Sequence, residues 1–90
     1  MREVTITGRD FTDMQQVHTM LAQELDFPTY YGQNLSALYD VLTETDQPAR
    51  ITVDLRAMED TLMLQSLKRM LGVLEDVQEE NPGIEVCRID

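Results

Sequence analysis

The sequence predicts an α/β fold, with a three-stranded parallel sheet and about four helices. Three observations support this class: short segments of alternating apolar residues, segments with apolar residues at helical spacing, and their order along the chain. The order is strand, two helices, strand, helices, strand, and strands separated by helices favour parallel pairing through right-handed crossovers. With 90 residues the chain has room for one core, so we expect residues 1–90 to form a single domain.

The first strand and the first helix precede a proline. Residues 2–7 predict the strand, because apolar and polar side chains alternate and one face is therefore buried. The capping-box pair of Thr12 and Gln15 predicts the start of the helix. We expect it to end before Pro28, since the residue preceding a proline avoids helical geometry. Its apolar stripe consists of Met14, Val17, Leu21 and Leu25.

A second, short helix is predicted after a loop that contains two adjacent tyrosines. The loop covers residues 28–33, and Asn34 is a favourable N-cap for the helix that follows it. The inward stripe of this helix consists of Leu35, Leu38, Val41 and Leu42. The opposite face, at spacings of three and four, presents Ser36, Tyr39, Asp40 and Thr43.

The remaining elements are a strand, a helical turn, a long helix and a final strand. Residues 50–55 alternate like the first strand, and both patterns indicate that one sheet face stays partly exposed, which is unusual for parallel sheets. We expect a short helical turn over residues 56–60 and a helix over residues 62–80, which residues 81–83 (Asn-Pro-Gly) terminate. Residues 84–89 predict the last strand. The apolar stripe of the long helix consists of Met63, Leu64, Leu67, Met70, Leu71, Leu74 and Val77.

Charge is the strongest signal in the composition. Seventeen acidic residues against seven basic ones give a formal net charge of −10. Like-charge repulsion disfavours binding to nucleic acid or to an anionic membrane surface, whereas the same field accelerates association with a basic protein. The simpler alternative is that the acidic residues only keep the chain soluble.

A cytoplasmic location is favoured. The first residues are too polar for a signal peptide, and no apolar run approaches the ~20 residues that a membrane helix needs. Cys87 is the only cysteine, which excludes the intramolecular disulfides on which small secreted domains usually depend. We therefore expect a cytoplasmic protein that does not bind a membrane.

The sequence shows little sign of a catalytic site. His18 is the only histidine, and no motif pairs it with a nucleophile, so we interpret it as an ordinary surface or edge histidine. Cys87 is expected to be buried as a small hydrophobe, although spacing alone leaves a Cys–His pair open. One cysteine and one histidine cannot form a zinc site, and the four scattered glycines build no phosphate loop. We expect no enzyme, no metal and no cofactor, with a small hydrolase that uses acidic residues as an alternative.

Two short segments resemble a known family. They are Tyr30-Tyr31-Gly32-Gln33-Asn34-Leu35 and Ala37-Leu38-Tyr39-Asp40. Together they resemble the signature of the barstar family, and the first strand, the His18-bearing helix and the long last helix fall in the matching order. Proteins of that family are intracellular inhibitors of barnase-type ribonucleases. The resemblance implies a barstar-like fold and an inhibitor that is not itself an enzyme.

The resemblance also implies a partner-binding surface. Asp40 matches the family's central aspartate, whose carboxylate lies where the RNA phosphate belongs, among arginine and histidine side chains of the nuclease. Tyr30 matches an aromatic residue that packs against the nuclease's catalytic histidine. Flanking or edge contacts are implied for Asn34, Leu35, Thr43, Asp76 and Glu80.

Three places depart from the family pattern. Ser36 stands where the pattern has a second interface aspartate, and Tyr39 replaces a tryptophan. Residues 44–46 (Glu-Thr-Asp) replace a glycine-and-aromatic loop that also touches the nuclease. We retain Ser36, Tyr39 and Glu44 among the predicted partner-binding residues.

The resemblance implies a bacterial inhibitor of the immunity-protein type, whose partner is a basic ribonuclease or nuclease-type toxin. It also implies that the chain acts by steric occlusion and by carboxylate mimicry of RNA phosphate. The acidic run from Glu75 to Glu80 would steer a basic enzyme towards this surface, the alternative being a solvated helix face. A regulatory interaction module on the same fold, with a partner other than a ribonuclease, is the second hypothesis. Neither the cognate nuclease nor the oligomeric state follows from these residues.

Overall fold

The computed structural model describes residues 1–59 and 61–90. Within these residues, strands and helices follow one another in the predicted order, with one 3-10 turn at Gly8–Asp10. The described residues contain three α-helices rather than about four, because Arg56 and Ala57 form only a turn and Asp60 lies outside the described residues. The elements are β1 (Arg2–Thr7), α1 (Met14–Glu24), α2 (Leu35–Glu44), β2 (Ala49–Asp54), α3 (Leu62–Glu80) and β3 (Ile84–Ile89).

The three strands form one parallel sheet in the order β1-β2-β3. The register places Val4 beside Ile51 and Ile51 beside Val86, so apolar side chains of adjacent strands share one face. Side chains from all three helices pack on this face and form the core with it. The fully buried members of the core are Ile6, Val17, Leu21, Leu38, Leu42, Ile51, Val53, Leu67, Met70, Leu71, Leu74, Val77 and Ile84.

The opposite face of the sheet is partly exposed, as the alternation predicts. On that face Arg50 of the central strand links the two outer strands: its Nη1 donates to Glu3 at 2.8 Å, and its Nε donates to Glu85 at 2.9 Å. The next pair of residues on this same face is Thr52 and Cys87. Cys87 is exposed, so the expectation that it is buried is wrong. The charged and hydroxyl side chains on this face are favourably hydrated. This explains why a parallel sheet can leave the face exposed without a second layer of helices.

The N-terminus of α1 lies one residue later than predicted. Its N-cap is Asp13, whose Oδ1 accepts a hydrogen bond from the backbone N–H of Gln16 at 2.9 Å. Gln16 Oε1 in turn accepts from the backbone N–H of Thr12 at 2.9 Å. The expected pair of Thr12 and Gln15 is therefore wrong, because aspartate is at least as good a cap as threonine and takes the position.

The C-terminus of α1 is set by local backbone geometry rather than by Pro28. Asp26 adopts the left-handed conformation with φ 56°. This turn lets the backbone N–H of Phe27 donate to the carbonyl of Ala22 at 2.9 Å. The arrangement satisfies a carbonyl group that would otherwise have no partner at the end of the helix.

The second half of the chain follows the predicted limits closely. α3 covers residues 62–80 and β3 covers residues 84–89, as predicted. β2 covers residues 49–54, one residue earlier than predicted, because Ala49 already pairs with both neighbouring strands. None of the helices in the described residues is long and apolar enough to span a membrane.

Candidate partner-binding surface

The N-terminus of α2 is fixed by Asn34, as the sequence predicted. Its Oδ1 accepts from the backbone N–H of Ala37 at 2.8 Å, and its Nδ2 donates to the carbonyl of Gly32 at 3.3 Å. Gln33, immediately before the cap, adopts a left-handed conformation with φ 54°. These contacts set the direction in which α2 leaves the tyrosine-containing loop.

The two adjacent tyrosines of that loop have different environments. Tyr31 is half-buried, and its hydroxyl shares a hydrogen bond of 2.6 Å with Nδ1 of His18. Its ring packs edge-on against Phe27, with the ring centroids 4.9 Å apart. Tyr30 is 85% exposed. Tyr31 therefore anchors the loop to α1, and Tyr30 projects from the anchored loop into solvent.

His18 is buried, and the interpretation of it as a surface or edge histidine is wrong. Only 5% of the residue is exposed, because the loop folds back over α1 and covers it with Tyr31. Burial lowers the pKa of His18 below its ordinary value and raises the pKa of Tyr31 to about 12, since each charged form would lose its hydration. Both groups are thus neutral at pH 7.

The single histidine and the single cysteine do not form a catalytic pair. His18 is bonded to Tyr31 beneath the loop, whereas Cys87 lies on the exposed face of the sheet. In the part of the chain that the structure describes, no group of three or more His, Cys, Asp or Glu residues is arranged to hold a metal ion.

A shallow cleft between α2 and α3 brings together half of the predicted partner-binding residues. Asp40 is exposed in this cleft. Among the described residues, its carboxylate has no salt bridge with a basic side chain. Asp40 is exposed, and no described side chain neutralises its carboxylate. The cleft has a volume of about 260 Å³ and is lined by Leu35, Ser36, Tyr39, Asp40, Val73 and Asp76.

The other predicted residues lie outside the cleft. Thr43 turns its hydroxyl to its own helix, where Oγ1 donates to the carbonyl of Tyr39 at 2.7 Å. Glu44, the last residue of α2, is exposed and lines a separate pocket together with Tyr30. Glu80 is exposed at the last residue of α3 and does not line the cleft. Of the predicted residues outside the cleft, Tyr30 and Glu44 line the separate pocket, and Asn34, Thr43 and Glu80 line neither site.

Asn81 joins the ends of α2 and α3, a role that the sequence analysis missed. Its Nδ2 donates to the carbonyls of Leu42 at 2.8 Å and Thr45 at 3.0 Å, and its Oδ1 accepts from the backbone N–H of Gly83 at 3.0 Å. The last carbonyls of a helix have no partner within it, so this amide supplies one. Because Leu42 is 39 residues away in the chain, no local pattern predicts the contact.

Acidic and basic residues are separated along the chain. It has no lysine or arginine between Asp10 and Ala49, nor between Met70 and Cys87. These two stretches include α2 and the second half of α3, so the negative charge there is not locally compensated. Such a field attracts a cationic protein surface. Several arginines outside these stretches are already paired: Arg9 and Arg56 with Asp54, Arg50 with Glu3 and Glu85, and Arg88 with Asp90.

Comparison with known proteins identifies the family of this chain. The family described as "Barstar (barnase inhibitor)" matches residues 1–87. The chain belongs to the barstar family. One relative of this barstar-family chain is a protein of Bacillus subtilis (strain 168) named "Putative ribonuclease inhibitor YrdF". The two are 38% identical over 81 residues, which cover 89% of each chain. The barstar-like fold that the resemblance implied is confirmed.

Proposed function

We propose that this barstar-family chain is an intracellular inhibitor of a basic ribonuclease, with Asp40 in the position of an RNA phosphate. The observation that carries the proposal is the exposed Asp40 carboxylate, which shares the cleft with Asp76 and has no salt bridge with a described basic residue. Support comes from the family, described as barnase inhibitors, and from the printed name of the Bacillus relative.

A carboxylate held on a helix can imitate phosphate without being a substrate. A ribonuclease site contains cationic donors that hold a phosphate group, and a carboxylate accepts the same charge-assisted hydrogen bonds, in bidentate form from arginine. It has no phosphodiester bond to cleave, so the nuclease does not consume it. Because α2 already holds the backbone of Asp40 before binding, only its short side chain has to be ordered when the complex forms.

The residues around Asp40 complete the proposed surface. Tyr30 would pack against the catalytic histidine of the nuclease, since its exposed ring offers a large contact area at low entropic cost. The chain would then act by sterically blocking the active site of the ribonuclease. It would not itself be an enzyme and would need no cofactor. The proposed partner-binding set is Tyr30, Asn34, Leu35, Ser36, Tyr39, Asp40, Thr43, Glu44, Asp76 and Glu80.

Inhibition assays with matched variants test this proposal. We would measure RNA hydrolysis by barnase and by a panel of basic bacterial ribonucleases in the presence of the wild-type chain, Asp40→Asn or Asp10→Asn. Asp40→Asn removes the charge and keeps the shape, so we expect it to cost at least about 2 kcal/mol of binding, roughly thirtyfold in Kd. Asp10→Asn removes one charge from an exposed residue outside the cleft and is expected to change Kd less than about threefold.

Two outcomes would contradict the proposal: Asp40→Asn inhibits as well as the wild type, or the folded wild-type chain inhibits no ribonuclease of the panel. The second outcome favours a regulatory interaction module on the same fold. The observation that favours this second candidate is Ser36, which lines the cleft beside Asp40 where the family pattern has another carboxylate.

A further inference from the structure

A second concave site lies at the end of α2 that is remote from Asn34. It is a pocket of about 280 Å³ between the C-terminal ends of α1 and α2, beside the N-terminal ends of the three strands. Leu25, Phe27 and Val41 contribute apolar walls. Leu42 and Ile84, both buried, form its floor. The pocket thus offers an apolar surface to whatever occupies it.

The rim of the pocket carries carboxylates at two helix C-termini. Asp26 follows the last turn of α1, and Glu44 is the last residue of α2. Carbonyl groups at a helix C-terminus already bear partial negative charge, so an acidic residue there destabilises its own helix. Arg2 also lines the pocket, and among the described residues it forms no ion pair with either carboxylate. Two carboxylates and two helix C-termini outweigh the single positive charge of Arg2, so they favour a further cation at this rim.

We propose that this pocket binds one long basic side chain, lysine or arginine, of the ribonuclease that docks on α2. The inference rests on the proposed function, because the cation comes from the same partner. Lysine and arginine pack their apolar stems against apolar walls while the charged head stays near acidic groups. The exposed ring of Tyr30, also at the rim, adds a cation–π surface.

The pocket lies where a protein docked on α2 can insert a side chain into it. Tyr30 and Glu44 belong both to the pocket lining and to the proposed partner-binding set. A protein that covers the exposed side of α2 therefore reaches the rim within the same contact area. A fatty acid or a nucleotide fits less well, because its own negative charge would face Asp26 and Glu44. The net charge of −10 likewise selects a basic protein.

Binding kinetics of pocket variants test the proposal. The probes are barnase and every ribonuclease of the panel that the wild-type chain inhibits. Val41→Phe fills the pocket without changing the charge, so we expect dissociation to become about tenfold faster with the association rate unchanged. Glu44→Gln is expected to weaken binding about threefold at low salt and less at high salt, since salt screens a partly exposed ion pair. Glu59→Gln removes the same charge from an exposed residue outside the pocket and should leave both rate constants unchanged.

Each result decides between this proposal and the one on which it rests. Thermal unfolding would verify that Val41→Phe is folded. If it is not, Val41→Thr replaces it; this variant makes an apolar wall polar instead of filling the pocket, and faster dissociation is again expected. Wild-type binding by both pocket variants, with weaker binding by Asp40→Asn, would overturn the pocket proposal alone. Unchanged binding by Asp40→Asn, or no bound ribonuclease at all, would overturn both. An effect of Val41→Phe without any effect of Glu44→Gln indicates an apolar occupant and contradicts a basic one.

Discussion

His18 and Tyr31 form a buried polar pair that joins α1 to the loop before α2. The pair supports the proposed partner-binding surface indirectly, because it holds the backbone from which Tyr30 projects. Its two groups are neutral in the folded protein, and burial disfavours the charged form of each. The pair therefore makes stability depend on pH in a defined direction.

We predict that the free energy of unfolding decreases as the pH falls below about 6.5, the ordinary pKa of histidine. Burial lowers the pKa of His18 in the folded state, so the unfolded chain binds more protons in this range. This contribution is fully present above the unfolded pKa and is lost as the pH falls through the folded pKa. Urea unfolding at pH 7.5, 6.5 and 5.5 measures it. His18→Gln should flatten the dependence, and an identical slope in that variant would contradict the assignment.

The adjacent tyrosines should separate stability from binding. Tyr31→Phe removes the hydroxyl and leaves Nδ1 of His18 buried without its partner, which should cost about 1–3 kcal/mol of unfolding free energy. Tyr30→Ala alters an exposed side chain and should change stability by less than about 0.5 kcal/mol. It should nevertheless weaken ribonuclease binding about tenfold. Urea unfolding and calorimetric titration of both variants test this, and the opposite assignment of effects would show that the roles are reversed.

Single residues were predicted well where their neighbours in sequence determine their environment. Asn34 is the N-cap of α2, as its residue type before an apolar helical stripe predicts, and Asp40 lies on the exposed side of that helix, as helical spacing predicts. His18 and Cys87 were predicted wrongly. The burial of His18 depends on a loop that folds back over it, and the exposure of Cys87 depends on which face of β3 meets the helices.

At the scale of elements, the sequence located helices and strands better than the turns between them. Left-handed backbone occurs at Asp26, Gln33 and Ala57, and at no glycine among the described residues. Glycine is the residue that usually marks such positions, so the usual signal was missing. The end of α1, at residue 24, was therefore predicted only as lying before Pro28. The long helix, which a strong stop signal follows, was predicted with its observed bounds.

We predict that Asn81→Asp disturbs the arrangement of α2 and α3. The variant keeps an acceptor for Gly83 but loses both donors, and it places a charge against the carbonyls of Leu42 and Thr45. Leaving those acceptors unpaired should cost about 1–3 kcal/mol of stability. Because α2 loses its attachment at the C-terminal end, we also expect weaker binding of the ribonuclease, measured by calorimetric titration.

A core substitution far from the cleft is the control for this prediction. Ile6→Val removes one methylene from a fully buried residue of β1 and should cost about 0.5–1.5 kcal/mol of stability. It does not alter the contact between α2 and α3, so the folded variant should bind with wild-type affinity. If Asn81→Asp loses no more affinity than Ile6→Val, Asn81 acts only on stability and does not position the binding helix.

At the scale of the whole molecule, the fold could be predicted from the periodicity of apolar residues and the order of strands and helices. The candidate site was predicted from the acidic charge and a short family signature. The order of strands and helices predicted a three-stranded parallel sheet, which the register confirms. The order β1-β2-β3 within the sheet was not predicted. Charge patterning predicted a basic partner, and that stays a prediction. The family description, barnase inhibitor, agrees with the coarser expectation of a ribonuclease partner. The pocket between α1 and α2 was not predicted, because its lining comes from segments that are far apart in the chain.

Competition with a nucleotide tests the central claim most directly. The affinity of barnase, or of another inhibited ribonuclease, for the wild-type chain would be measured by calorimetry with and without saturating 3′-nucleoside monophosphate. If Asp40 occupies the phosphate position, the two ligands exclude each other, and the apparent Kd rises in proportion to the nucleotide concentration. An unchanged Kd, with chain and nucleotide bound to the enzyme together, would contradict the account.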